Sequence, residues 1–149
     1  MDPLQLLSNF VASYYYILIK NPDDMVKFYS KEAQISRDSY VQKIAEKQEF
    51  FPKIQPSDEL SILDYHGLPI TNGFNIIVNG ILKIGNELNY FIHQFTLQQK
   101  SQRYFIVGDN LTFLPTYMSS TEYNEVIKDL NVQTLSKSKK NYSYYRNKP

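Results

Sequence analysis

Two carboxylates and two histidines stand as candidates for acid–base chemistry: Asp64, His66, His93 and Asp109. A carboxylate beside an imidazole can serve as general base and acid, provided the pair shares a pocket with the substrate. The local patterns argue for plainer roles. His66 adjoins Gly67 at what reads as a strand end, which makes it a loop residue. His93 falls in phase with Phe91 and Phe95, which places it in the core or at a dimer face as a hydrogen-bonded structural histidine. The sequence holds no Ser-His-Asp arrangement, no Gly-rich phosphate loop and no metal-ligand spacing. With no cysteine and two histidines, a zinc site lacks ligands. No cofactor is called for, and the expectation is a protein that is not an enzyme.

The elements that must position these residues follow from periodicity. Phe74, Ile76, Val78, Gly80, Leu82 and Ile84 alternate, as do Phe91, His93, Phe95 and Leu97. Tyr104, Ile106 and Gly108 lead through Asp109-Asn110 to Leu111 and Phe113. A period of two marks strands with one buried face, and Gly85-Asn86 and the polar Gln98–Gln102 stretch supply the turns. Leu60–Tyr65 adds a strand before them, ending near Gly67-Leu68-Pro69, and Ala33–Arg37 reads as a short one.

Helical spacing fills the first half. Leu6, Leu7, Phe10, Val11, Tyr14, Ile17 and Leu18 form a wide apolar stripe, with Asp2 as cap and Pro3 in the first turn. Asn21-Pro22 opens a second helix reaching about Tyr29, which is expected to bury Met25, Val26, Phe28 and Tyr29. Val41, Ile44, Ala45, Gln48 and Phe51 predict a third helix over 39–51. The sum is an α+β fold with three N-terminal helices on one face of a bent antiparallel sheet. Tyr123, Val126, Ile127 and Leu130 allow an extra helix within 117–130, and 131–149 reads as a flexible tail.

Bulk properties agree with one domain. The chain has 149 residues and a formal charge of +1, with 13 Tyr and 9 Phe. Its charge is uneven: Lys137, Lys139, Lys140, Arg146 and Lys148 sit in an acid-free terminus, while the rest is mildly acidic. Tyr142, Tyr144 and Tyr145 interleave with those cations, a pattern that suits weak RNA contact or a solvated tail. No apolar run is long enough for a membrane helix, the start lacks the pattern of a secretion signal, and the absence of cysteine fits cytoplasm or nucleus.

Several stretches resemble the nuclear transport factor 2 family. Phe10-Val-Ala-Ser-Tyr-Tyr-Tyr16 is similar to its first helix and Pro22-Asp-Asp-Met-Val-Lys-Phe-Tyr29 to its second, notably in the stress-granule (Ras-GAP-binding) and deubiquitinase-cofactor branch. Leu63–Pro69 resembles a strand end of the transport-factor and messenger-RNA-export branches. His93–Leu97 and Tyr104–Asn110 resemble the final hairpin. The resemblance spans about residues 4–115 and implies a cone-shaped domain over 1–116. By the same likeness, Phe10, Ser13 and Phe28, with Leu111 and Phe113, would form a groove for Phe-Gly-type peptides. Ile77, Asn79, Ile81, Ile92, Gln94 and Thr96 would face another subunit, in a homodimer or heterodimer. The implied role is a non-catalytic adaptor in nucleocytoplasmic transport of protein or messenger ribonucleoprotein. Its expected partners are Phe-Gly-containing proteins such as nucleoporins or an export receptor. A ribonucleoprotein or deubiquitinase scaffold is the alternative, and a small-molecule isomerase or dehydratase using the cone interior is the reading from another class. The chain lacks the tryptophan that transport factors turn toward nucleoporin repeats.

Overall fold

The computed structural model describes residues 2–37, 40–43, 51, 53–114 and 134–137. Helix α1 spans Pro3–Lys20; Asp2 caps it by accepting from the Leu4 amide at 3.2 Å, and proline occupies the first turn. Its inner face buries Leu7, Val11, Tyr14, Tyr15, Leu18 and Ile19. A single 3-10 helix follows over Pro22–Phe28. It buries Met25 but leaves Val26 exposed, contrary to the sequence expectation.

The strands are β1 (Tyr29–Arg37), β2 (Tyr40–Lys43), β3 (Glu59–Ile70), β4 (Gly73–Ile84), β5 (Glu87–Lys100), β6 (Arg103–Leu114) and β7 (Thr134–Leu135). They form one sheet in the order β2-β1-β6-β5-β4-β3-β7. Every neighbouring pair is antiparallel except β1 with β6, where Ile35 lies beside Asp109 in parallel register. The sheet therefore departs from the all-antiparallel expectation at one seam. Register shifts at Tyr29/Gln34, Ile62/Asp64 and Thr96/Leu97 insert bulges of the kind that bend and twist a sheet.

The expected third helix is corrected at Tyr40–Lys43, which pairs with β1 as a strand, Arg37 opposite Tyr40 and Gln34 opposite Lys43. The physical reason is the free edge of β1: a returning strand satisfies its amides and carbonyls, and that outweighs a modest helical spacing. The rest of 39–51, apart from Phe51, lies outside the described residues, as do the extra helix within 117–130 and the Tyr142–Arg146 stretch. The expected free tail is corrected at Thr134–Lys137. Leu135 pairs with Leu60 on the outer edge of β3 and joins the core, and Lys20 Nζ donates to the carbonyls of Ser136 (2.9 Å) and Lys137 (3.3 Å).

The core lies between α1 and the inner sheet face and is dense in rings. Phe10 meets Phe95 edge-on at 5.1 Å, and Phe51 meets Phe91 at 5.5 Å. Gly80 is needed for this packing, because a Cβ there would lie 2.3 Å from the Phe91 ring and 2.8 Å from the Ser61 carbonyl oxygen. No helix among the described residues is long and apolar enough to cross a membrane.

Candidate functional site

A cleft of about 440 Å³ opens where α1, the 3-10 helix and the start of β6 converge. Its apolar floor comes from Phe10 and Ile17 on α1, Phe28 on the 3-10 helix and Tyr104 on β6. Phe10 and Ile17 are seven residues apart, two helical turns, so both project along one stripe. Ser13 lies between them. Phe10 and Phe28 stand edge to face with centroids 6.2 Å apart, and Tyr14 backs Phe28 at 5.5 Å. The rim is charged. Lys27 pairs with Asp24 at 3.2 Å, Asn21 also donates to Asp24 at 2.6 Å, and Arg103 borders the other side. An apolar floor with a polar rim suits an aromatic side chain on an extended peptide.

Three of the groove residues expected from sequence, Phe10, Ser13 and Phe28, line this cleft together. Leu111 and Phe113 do not. Leu111 is buried in the core, and Phe113 packs on Phe51 and Phe91, each at 5.8 Å. The cause is strand geometry: at roughly 3.3 Å per residue, Phe113 sits about 30 Å along β6 from Tyr104. Sequence reasoning missed Tyr104 and Ile17 as groove residues, although both stood in recognised apolar patterns.

Behind the groove is a buried polar network. Asp109 receives Arg37 on both oxygens, Nη1 at 2.8 Å to Oδ1 and Nη2 at 3.2 Å to Oδ2. His93 Nε2 lies 2.6 Å from Oδ1, and the Tyr29 hydroxyl donates to Oδ2. Tyr14 donates to the Tyr29 oxygen at 2.7 Å. Burial by itself pushes the Asp109 carboxyl up, but the His93 and Arg37 contacts outweigh it and hold it well below the usual carboxylate range. Burial lowers His93, only partly offset by Asp109, so the imidazole is neutral at pH 7. An ionised carboxylate only accepts, so His93 carries its proton on Nε2, and Nδ1 takes the Tyr15 hydroxyl at 2.8 Å. Burial, reinforced by neighbouring negative charge, raises Tyr14 and Tyr29 and keeps both protonated.

The four acid–base candidates thus separate onto opposite faces. His93 and Asp109 point inward and neither side chain reaches solvent. Asp64 and His66 project outward from β3, 3.9 Å apart and exposed, with Asp64 accepting from Asn79 at 2.6 Å. His66 is a strand residue rather than the loop residue expected. Rings crowd the inner pair: Phe95 at 4.0 Å and Tyr14 at 5.6 Å from the imidazole. Every polar atom of the His93–Asp109 pair is engaged within the protein, which suits a structural network. No group of three potential metal ligands occurs among the described residues.

On the outer face, Ile77, Asn79, Ile92, Gln94 and Thr96 share one side of β4 and β5, as alternation requires. Ile81 is a correction. It shares their side but is only 2% exposed, closed over by Leu63, Leu88 and Tyr90 in a small second cluster.

The sequence profile of the Nuclear transport factor 2 (NTF2) domain matches residues 6–113. The chain belongs to the nuclear transport factor 2 family. Solved structures with the family's fold resemble it at low identity. The Candida albicans Mtr2–Mex67 M domain complex aligns at 14% identity and TM-score 0.54, covering 77% of this chain and 96% of that one. The yeast UBP3-associated protein Bre5 aligns at 17% and 0.56, covering 72% and 93%. An NTF2-like protein of unknown function from Shewanella baltica aligns at 15% and 0.55, covering 78% and 99%. No curated protein matches in sequence. The family's α+β fold stands; the expected count of three N-terminal helices is not confirmed among the described residues, which hold α1 and the 3-10 helix.

Proposed function

We propose that this member of the nuclear transport factor 2 family is a non-catalytic, dimeric adaptor that binds Phe-Gly-type peptide motifs. Its setting is the movement of protein or messenger ribonucleoprotein between nucleus and cytoplasm. The observation that carries the reading is the cleft in which Phe10, Ile17, Phe28 and Tyr104 surround space for an aromatic ring. Phe10 and Phe28 are only half-buried: each packs one side against the core and leaves the rest in the cleft. The ring-filled interior around His93 and Asp109 supports binding over catalysis and speaks against an isomerase or dehydratase. The Mtr2–Mex67 complex, a similar fold, is an assembly with a protein partner, which accords with an adaptor role.

Titration of the folded chain with a labelled Phe-Gly peptide tests this reading. Phe28→Ala, with fold verified by circular dichroism, should abolish binding; unchanged affinity removes the groove from the account. The likeness to Bre5 and the Pro22–Tyr29 stretch favour a second reading, a deubiquitinase-cofactor or ribonucleoprotein scaffold using the same groove.

A further inference from the structure

Strand β3 has a neighbour on one side only for most of its length. β4 pairs with it from Glu59 to Ile70, while on the other side β7 covers Leu60 and Ser61. Beyond them no described strand pairs with that edge over 64–70, between the bulge at Ile62/Asp64 and the turn at Thr71 and Asn72. The register shows which backbone groups lie there. Gln99 donates its amide to the Asn72 carbonyl at 2.8 Å, and bonded pairs recur at every second residue of an antiparallel ladder. Phe74, Ile76 and Val78 therefore bond to β5, while Gly73, Asn75 and Ile77 bond to β3 at Ile70, Leu68 and His66. Tyr65, Gly67 and Pro69 turn their backbone groups the other way, to the open edge. Proline fits that placement, because its missing amide falls on the unpaired side. Tyr65 and Gly67 each present an N–H and a C=O there.

Apolar side chains flank this row on both faces. Leu68 projects from the outer face, 71% exposed. On the inner side Leu7 of α1 lies against Gly67, where a Cβ would fall 2.9 Å from it, and Leu4, one turn earlier, is 74% exposed. A row of open backbone groups between apolar flanks calls for an extended strand. β7 shows that the edge accepts an added antiparallel strand, and it stops short of Asp64. We propose that β3 recruits an extended peptide of a partner protein over 64–70, antiparallel, on the line that β7 begins. Its side chains follow from the register. An aromatic residue opposite Gly67 covers the bare backbone and meets Leu7, and an apolar one opposite Leu68 packs on it. A Lys or Arg opposite Asp64 pairs with that half-exposed carboxylate, which accepts from Asn79 and lies 3.9 Å from His66. The site shares no residue with the cleft at Phe10 and Phe28 and does not depend on it.

The probe is the capped, fluorescently labelled peptide Thr-Ile-Phe-Thr-Val-Lys, titrated into the full chain and followed by anisotropy. It should bind saturably and protect the Tyr65 and Gly67 amides from hydrogen exchange. Methylating the backbone nitrogen of its Phe removes the donor to the Gly67 carbonyl and should weaken binding at least tenfold. Leu68→Lys should weaken it at least threefold with the thermal midpoint little changed, since the side chain is exposed. Phe28→Ala should leave it unchanged. No saturable binding at millimolar peptide overturns the proposal, as does binding that tolerates the methyl group or Leu68→Lys. Binding that Phe28→Ala abolishes overturns it too, because the peptide then sits in the cleft. So does protection of the Tyr65 and Gly67 amides that grows as the chain alone is concentrated, because a second copy then holds the edge.

Discussion

His93 Nε2 lies 2.6 Å from Asp109 Oδ1 across the β5–β6 seam, with both side chains fully buried. A charged group in such a place persists only with partners, and Arg37 provides the balancing charge. Asp109→Asn keeps the shape but leaves the guanidinium without a counter-charge. The expected cost is about 3–5 kcal/mol by urea denaturation. Asp109→Asn combined with Arg37→Met should recover a good part of that loss.

The same pair sets an acid limit. The folded pKa of His93 lies below its unfolded value of about 6.5. Between those two values the unfolded chain binds the extra proton, so stability falls as pH drops below about 6.5. Asp109 is also depressed; its contribution is present above about pH 4, the unfolded carboxylate range, and is lost as pH falls further toward its folded pKa. Thermal midpoints should therefore decline from pH 7 to 5 and again below 4. In His93→Gln the upper decline should flatten while the lower one remains.

Groove and core separate on β6. Tyr104→Ala should weaken Phe-Gly peptide binding by about tenfold, the size of a modest hot spot, with little loss of stability. Leu111→Ala should do the reverse, costing about 2–5 kcal/mol of folding free energy as a buried large-to-small change. In chains that remain folded, its peptide affinity should be unchanged. Isothermal titration and chemical denaturation on both variants decide this.

The β5–β6 hairpin closes through Ser101 and Gln102, whose φ angles are 52° and 68°. Residues other than glycine tolerate this region poorly, at roughly 1–2 kcal/mol each. Ser101→Asn with Gln102→Gly, the pair such a turn favours, should raise stability by about 1 kcal/mol. An unchanged denaturation midpoint would show that the turn stores no such strain.

Much of the fold is legible because a one-sided sheet repeats every two residues. Alternation from Phe74 to Phe113 marks β4, β5 and β6 and sets His93 in phase with Phe91 and Phe95, which leaves core or dimer face open; the structure buries it. The α1 stripe is equally plain, and it places Phe10 and Ser13 on the helix that borders the cleft. What sequence does not carry is which strand ends meet. Tyr104 belongs to the cleft, and Leu111 does not, because α1 crosses the Arg103 end of β6; no local pattern encodes that crossing. The parallel β1–β6 seam joins residues some 70 positions apart and is invisible for the same reason. Tyr40–Lys43 shows local helical spacing overridden by a distant need, an unpaired edge.

The tether between Lys20 and the Ser136–Lys137 carbonyls bears on how this chain is made and cut. Leu135 can complete the packing over Leu60 only after every strand before it has been made, so this edge of the sheet closes after the other strands exist. A fragment that stops at Phe113, where the family match ends, lacks its last staple and bares the β3 border to other chains. Expression trials that keep residues through Lys137 should give the better-behaved protein.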